Sequence, residues 1–137
     1  FSYYGRRAME HGEEVTGAEL SRALYRVDQL GRQLEDFFDD YDLLLSPTMA
    51  VPAFPIDQRP SVIGGKQVEP FWGYLPFTYP INMTGQTASS APCGFSQDGM
   101  PIGVHIVGPR GSEAKVLQAS AAFEAAQPWA DKRPTVS

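Results

Sequence analysis

Cysteine occurs once in the 137 residues, at Cys93, which excludes an internal disulfide and fits a reducing, cytoplasmic compartment. Histidine occurs twice (His11, His105) and lysine three times (Lys66, Lys115, Lys132), so general bases of either kind are scarce. There is neither a paired-cysteine metal spacing nor a glycine loop for phosphate, and no metal or other cofactor is expected. Positive charge is short as well: 11 Lys plus Arg stand against 16 Asp plus Glu, a net charge of −5. That argues against a nucleic-acid surface, which needs clustered cations. Apolar runs fall well below the roughly 20 residues that a membrane-spanning helix requires, so no membrane partner is expected. Internal repeats and low-complexity tracts are absent too.

What is present describes an ordinary folded chain, 42% hydrophobic and 20% charged, within the size of one domain. At this length a globule buries roughly two-thirds of its unfolded surface, enough for a core of its own. Residues 1–15 are polar with scattered aromatics and carry little signal. Thr16 and Glu19 then have the spacing of a capping box. Leu20, Leu24, Val27, Leu34, Phe38 and Tyr41 follow at helical steps, with Gly31 in the one gap, and predict one amphipathic helix over 17–39 lying on a core. Asp39, Asp40 and Asp42 crowd its end and read as a solvated stop rather than a metal site. Leu43-Leu44-Leu45 predicts a short strand covered on both faces.

From Pro47 to Pro76 the composition turns to proline, with Gly64-Gly65 in the middle. Phe54, Ile56, Val62, Ile63, Phe71, Trp72 and Tyr74 call for burial, so 47–76 reads as an ordered excursion, a pocket wall or a packing surface. In 77–108 a run of small residues (Ala88 to Ala91) suggests buried or pocket-lining backbone over 82–94. Asp98-Gly99 is a turn signal, and Ile102, Val104, Ile106 and Val107 predict a strand over 102–107. Ser112, with Glu113 behind it, predicts the cap of a last helix over 112–127 that presents Val116, Ala119, Phe123 and Ala126 on one face.

Asn82-Met83-Thr84-Gly85, with Ala88, Ser90, Pro92 and Gly94, then Gly99-Met100-Pro101-Ile102-Gly103-Val104-His105-Ile106-Val107-Gly108, resemble the C-terminal signature of the amidase signature hydrolases. The family pattern there is N-x-T-G-x-P-A-x-S-x-P-x-G, a turn, and G-[LM]-P-[IV]-G-[VL]-[QH]-[IVL]-[IV]-G. Thr87 replaces the usual proline and His105 the commoner glutamine. The likeness reaches back to Asp42 and on to the Trp129 and Arg133-Pro134 tail. It implies an α/β fold, with residues 1–137 forming part of a mixed β-sheet covered by helices on both faces. It also implies hydrolysis of linear amides by a Ser–Ser–Lys triad.

The residues themselves offer no such triad. Ser89-Ser90 lacks the G-x-S-x-G context, Cys93 and His105 read as a small buried hydrophobe and a mid-strand histidine, and no lysine matches the family's catalytic one. The resemblance therefore implies that 1–137 is the C-terminal segment of an amidase whose catalytic half is absent. Trp72, Phe77, Tyr79 and Asn82 are the expected substrate-binding residues, as aromatics and one polar handle beside an amide. The implied partners are a small-molecule amide and the missing N-terminal part, and a homodimer is left open. Such a segment should leave its sheet edge and helix faces bare. Two other readings stand beside it: a non-catalytic binding domain that reuses the fold piece, and a Cys93-dependent hydrolase.

Overall fold

The computed structural model describes residues 2–133. The chain opens with a helix that the sequence did not announce, α1 (Tyr3–Glu14), capped by the Ser2 hydroxyl, which accepts the Gly5 amide at 3.3 Å. Its successor α2 (Gly17–Asp40) begins at the expected capping box. Glu19 accepts the Thr16 amide at 2.8 Å while Thr16 Oγ1 accepts the Glu19 amide at 3.2 Å, satisfying two otherwise orphaned donors. The Thr16 amide, then the Thr16 hydroxyl, hold the Glu19 carboxyl below its ordinary range.

Only the C-terminal half of α2 rests on other elements. Gly31 is buried and Val27, Leu34 and Phe38 are half-buried, but Leu20 and Leu24 are exposed. The expectation that the whole apolar stripe lies on a core is corrected to that half.

Strand β1 (Leu44–Pro47) follows, then a two-residue hairpin of β2 (Val62–Ile63) and β3 (Lys66–Gln67). Gly64 and Gly65 join the hairpin with φ of 56° and 76°, the left-handed pair that a tight turn needs. A short helix α3 (Tyr79–Thr84), strands β4 (Thr87–Phe95) and β5 (Pro101–Gly108), and α4 (Glu113–Ala126) complete the described fold. β5 lies between β1 and β4 and runs antiparallel to both, with Leu44 opposite Val107 and Ala88 opposite Val107 from the other side. The small-residue run read as pocket-lining backbone is thus mostly a strand, held by the ladder rather than by side-chain bulk. Asp98-Gly99 turns β4 into β5, and Ser96 N donates to Met100 O at 2.8 Å.

α4 covers one face of this sheet. Ile106, Ala91 and Val116 form the core cluster, with Leu43, Val104, Ala119, Phe123 and Trp129 packed on it. Ser112 takes the N-cap position of α4, as expected, but its hydroxyl makes no capping bond and donates instead to the Pro109 carbonyl at 2.6 Å. Asp42 pairs with Lys115 at 2.6 Å, tying the end of α2 to α4. Val107 is 0% exposed on the opposite face. Yet Leu45 is 62% exposed, so β1 is not covered on both sides as the all-apolar run suggested. Ile81, Ala91, Ile106, Val107 and Val116 are the buried apolar residues among those described, a smaller core than 137 residues lead one to expect. The shortfall has a physical source in the exposed stripe of α2 and the bare face of β1, which find no apolar partner within residues 2–133.

Candidate functional site

The turn at Glu69-Pro70 sends the chain back toward α3. Gly73 N donates to Glu69 O at 2.7 Å and Leu75 N to Trp72 O at 2.9 Å, winding 69–75 into a compact loop. Pro80 sits in the first turn of α3, where a missing N–H costs nothing, and Gly85 ends the helix at φ 72°. This brings Trp72 onto Tyr79, rings edge to face with centroids 5.5 Å apart. A second edge-to-face pair, Phe54 with Tyr74 at 5.1 Å, anchors the excursion beside it.

Of the expected binding residues, Trp72 meets Tyr79, whose helix also carries Asn82. Tyr79 and Asn82 are three apart on one face of α3, while Ile81 and Thr84 are buried on the other. Trp72 remains 51% exposed and Asn82 is exposed, so both are open to a ligand. Phe77 is half-buried in the turn before α3, and among the described residues it makes no ring contact with the Trp72–Tyr79 pair. Burial, followed by the charges of Tyr74 and Glu69, pushes the Tyr79 hydroxyl above its usual pKa. Ile56, 90% exposed, and Val62 do not bury as their composition suggested; the aromatic pairs carry the packing of 47–76.

A cleft of about 470 Å³ opens beside Trp72, between α1 and the 69–72 turn, lined also by Arg7, His11, Glu69 and Phe71. Phe71 is gripped by the Arg7 and Arg59 guanidiniums at 4.4 and 4.8 Å from its ring centre. Arg7 and Glu69 are residues of this cleft that the sequence did not single out.

The serines and lysines are otherwise engaged. Ser89 Oγ lies 2.7 Å from Ser120 Oγ, and Ser90 Oγ lies 2.7 Å from Thr48 Oγ1. Lys115 pairs with Asp42, Lys132 pairs with Asp131 at 3.4 Å, and Lys66 is exposed in the small hairpin. Among the described residues, therefore, no serine is bonded to a lysine. His105 stands opposite Ser46 and Ser90 on its two neighbouring strands. Cys93 lies three residues beyond Ser90, at the bulge between Pro92 and Gly94, about 10 Å further along the strand. At that separation Cys93 and His105 cannot act as a thiol–imidazole pair for the Cys93-dependent reading. His105 is 5% exposed with Nδ1 buried and unpartnered, and burial holds its pKa below the usual imidazole value. No helix among the described residues is long and apolar enough to cross a membrane.

Sequence and structure comparisons agree. The family profile described as Amidase matches residues 2–117. The chain is 40% identical over 131 residues to an acylamidase of Rhodococcus erythropolis, covering 94% of this chain and 27% of that protein. It is 37% identical over 136 residues to a glutamyl-tRNA(Gln) amidotransferase subunit of Halothermothrix orenii, with the same coverage. Among solved structures, a bacterial aryl acylamidase of the amidase signature enzymes superposes with a TM-score of 0.83 at 30% identity, over 98% of this chain and 29% of that one. A 6-aminohexanoate cyclic dimer hydrolase gives 0.79 at 34% identity, over 92% and 28%. The chain thus spans about 27% of the length of the curated relatives it matches.

Proposed function

Because the chain belongs to the amidase family, we propose that it is the C-terminal part of an amidase that hydrolyses the C–N bond of carboxylic amides. In this reading the nucleophilic serine, the bridging serine and the lysine base lie upstream of residue 1. Residues 1–137 supply sheet, core and one wall of the acyl pocket. The observation that carries the reading is the packed Trp72–Tyr79 ring pair, whose Trp72 lines an open cleft, with Asn82 exposed on the helix that carries Tyr79.

The chemistry of that edge suits an amide substrate. Aromatic walls exclude water and bury an acyl or aryl group, and a carboxamide side chain can donate to or accept from the substrate amide. Likeness to an acylamidase and an aryl acylamidase supports small acyl amides as the substrate class. The reaction as proposed draws on no cofactor, and the lone Cys93 is in keeping with a cytoplasmic setting.

The test is a substrate series on the full-length protein. Hydrolysis of anilides and simple amides is expected, with Trp72→Ala and Phe77→Ala changing relative kcat/KM across the series more than they change the folding midpoint. Identical relative kcat/KM in both variants would remove these residues from the pocket wall.

A further inference from the structure

Glu69 makes two kinds of bond in the 69–75 loop. Its backbone carbonyl accepts the Gly73 amide at 2.7 Å and the Trp72 amide at 3.3 Å. Its carboxylate accepts the Phe71 amide at 2.7 Å and the Trp72 amide at 2.8 Å. The backbone bonds alone keep the loop wound, and Gly73 keeps it tight. A Cβ there would stand 2.5 Å from Val68 Cβ and 2.7 Å from Glu69 O. What the carboxylate adds is a fixed direction for the two amides, through two short bonds to one oxygen. Those amides belong to Phe71, locked between Arg7 and Arg59, and to Trp72, whose ring meets Tyr79.

We infer that Glu69 is a specificity-determining positioning residue. By holding the Phe71 and Trp72 amides it sets how the Trp72 ring meets Tyr79, and with it the shape of the acyl pocket. This rests on the reading of Trp72 and Tyr79 as a substrate wall. The bonds lie at the surface, where water can replace the lost acceptor. Removing the carboxylate should therefore loosen the ring far more than it destabilises the fold.

The experiment compares kcat/KM for an anilide and for a small aliphatic amide in the full-length protein, with the urea midpoint measured alongside. Trp72→Ala shifts the ratio of the two. Glu69→Ala shifts it in the same direction by at least about threefold, well within the roughly hundredfold that a 1 Å misplacement can cost. The double variant shifts it no further than Trp72→Ala alone, because one residue acts through the other. Glu69→Gln, which keeps an acceptor oxygen, returns the ratio toward that of the unsubstituted protein. A shift with Trp72→Ala and none with Glu69→Ala would overturn the inference and leave the pocket wall standing. Additive shifts would overturn it too. No shift with Trp72→Ala would bring down both readings. Should Glu69→Ala not fold, Glu69→Met carries the same test, since it keeps the length of the side chain and removes the oxygen that accepts both amides; an unchanged ratio there counts against the inference.

Discussion

Arg110 stands in the space that Gly31 leaves open: its Nη2 lies 3.2 Å from the point a Cβ on Gly31 would occupy. From there its Nε donates to the Thr84 carbonyl at 2.8 Å and its Nη1 pairs with Glu35 at 2.8 Å. One guanidinium at the end of β5 thus joins α2 to α3, and so helps hold the helix that carries Tyr79 and Asn82. Gly31→Val should displace Arg110 and cost about 1–3 kcal/mol, as overpacking does. Gly31→Ala should come out near neutral, because about 1 kcal/mol of helix propensity offsets a milder clash. Urea midpoints check both, and equal stability of Gly31→Val and the unsubstituted protein would deny the clamp.

Gly103 is a second point where a missing side chain makes room. A Cβ there would meet Ser90 Oγ at 2.5 Å and Thr48 Oγ1 at 2.8 Å, the two hydroxyls bonded to each other across β5. Gly103→Ala should lose roughly 1–3 kcal/mol, and adding Ser90→Ala should recover part of it by emptying the contact. Thermal unfolding of the single and double variants reads this out; additive losses would mean that the contact is not the cause.

His105 gives the fold a pH dependence whose sign follows from burial. Its folded pKa lies below the unfolded value near 6.5, so the folded state binds the proton less readily. Stability is fully present above about pH 6.5, falls as the pH drops through that value, and levels off below the folded pKa. The slope contributed is at most about 1.4 kcal/mol per pH unit. His105→Gln should flatten unfolding free energy between pH 7 and 5, and an unchanged slope would assign it to other groups.

Leu20 and Leu24 on α2, with Leu45 on β1, leave an apolar surface without a partner among the described residues. Each such leucine forgoes roughly 1.5–3 kcal/mol of burial. Expressed alone, residues 1–137 should self-associate, and Leu24→Lys with Leu45→Lys should reduce that in sedimentation velocity. A monodisperse, cooperatively folding 137-residue chain would instead favour a free-standing binding domain.

The parts of this fold legible in the sequence are those decided within a few residues. Thr16 and Glu19 announce α2, Asp98-Gly99 announces the β4–β5 turn, and the β-branched run from Ile102 to Val107 announces β5. The illegible parts depend on something distant. Between Thr87 and Phe95, β4 is built of Ala, Ser, Pro, Cys and Gly, which carry little strand signal and pair because β5 lies beside them. α1 carries Gly5 and Gly12, which blunt the helical signal that Ser2 nonetheless starts. In the site, the aromatic and amide residue types were readable. The meeting of Trp72 with Tyr79 was not, since it depends on the bonds that wind 69–75, and neither was the distance between Cys93 and His105, set by register and a bulge.

The most direct test of the account is where catalysis happens. A serine-reactive phosphonate that labels amide hydrolases, applied to the full-length protein and followed by peptide mass mapping, locates the nucleophile. The account predicts a single adduct on a serine upstream of residue 1, with amide hydrolysis lost in proportion to labelling. An activity-linked adduct on Ser89, Ser90 or any other serine within residues 1–137 would contradict it.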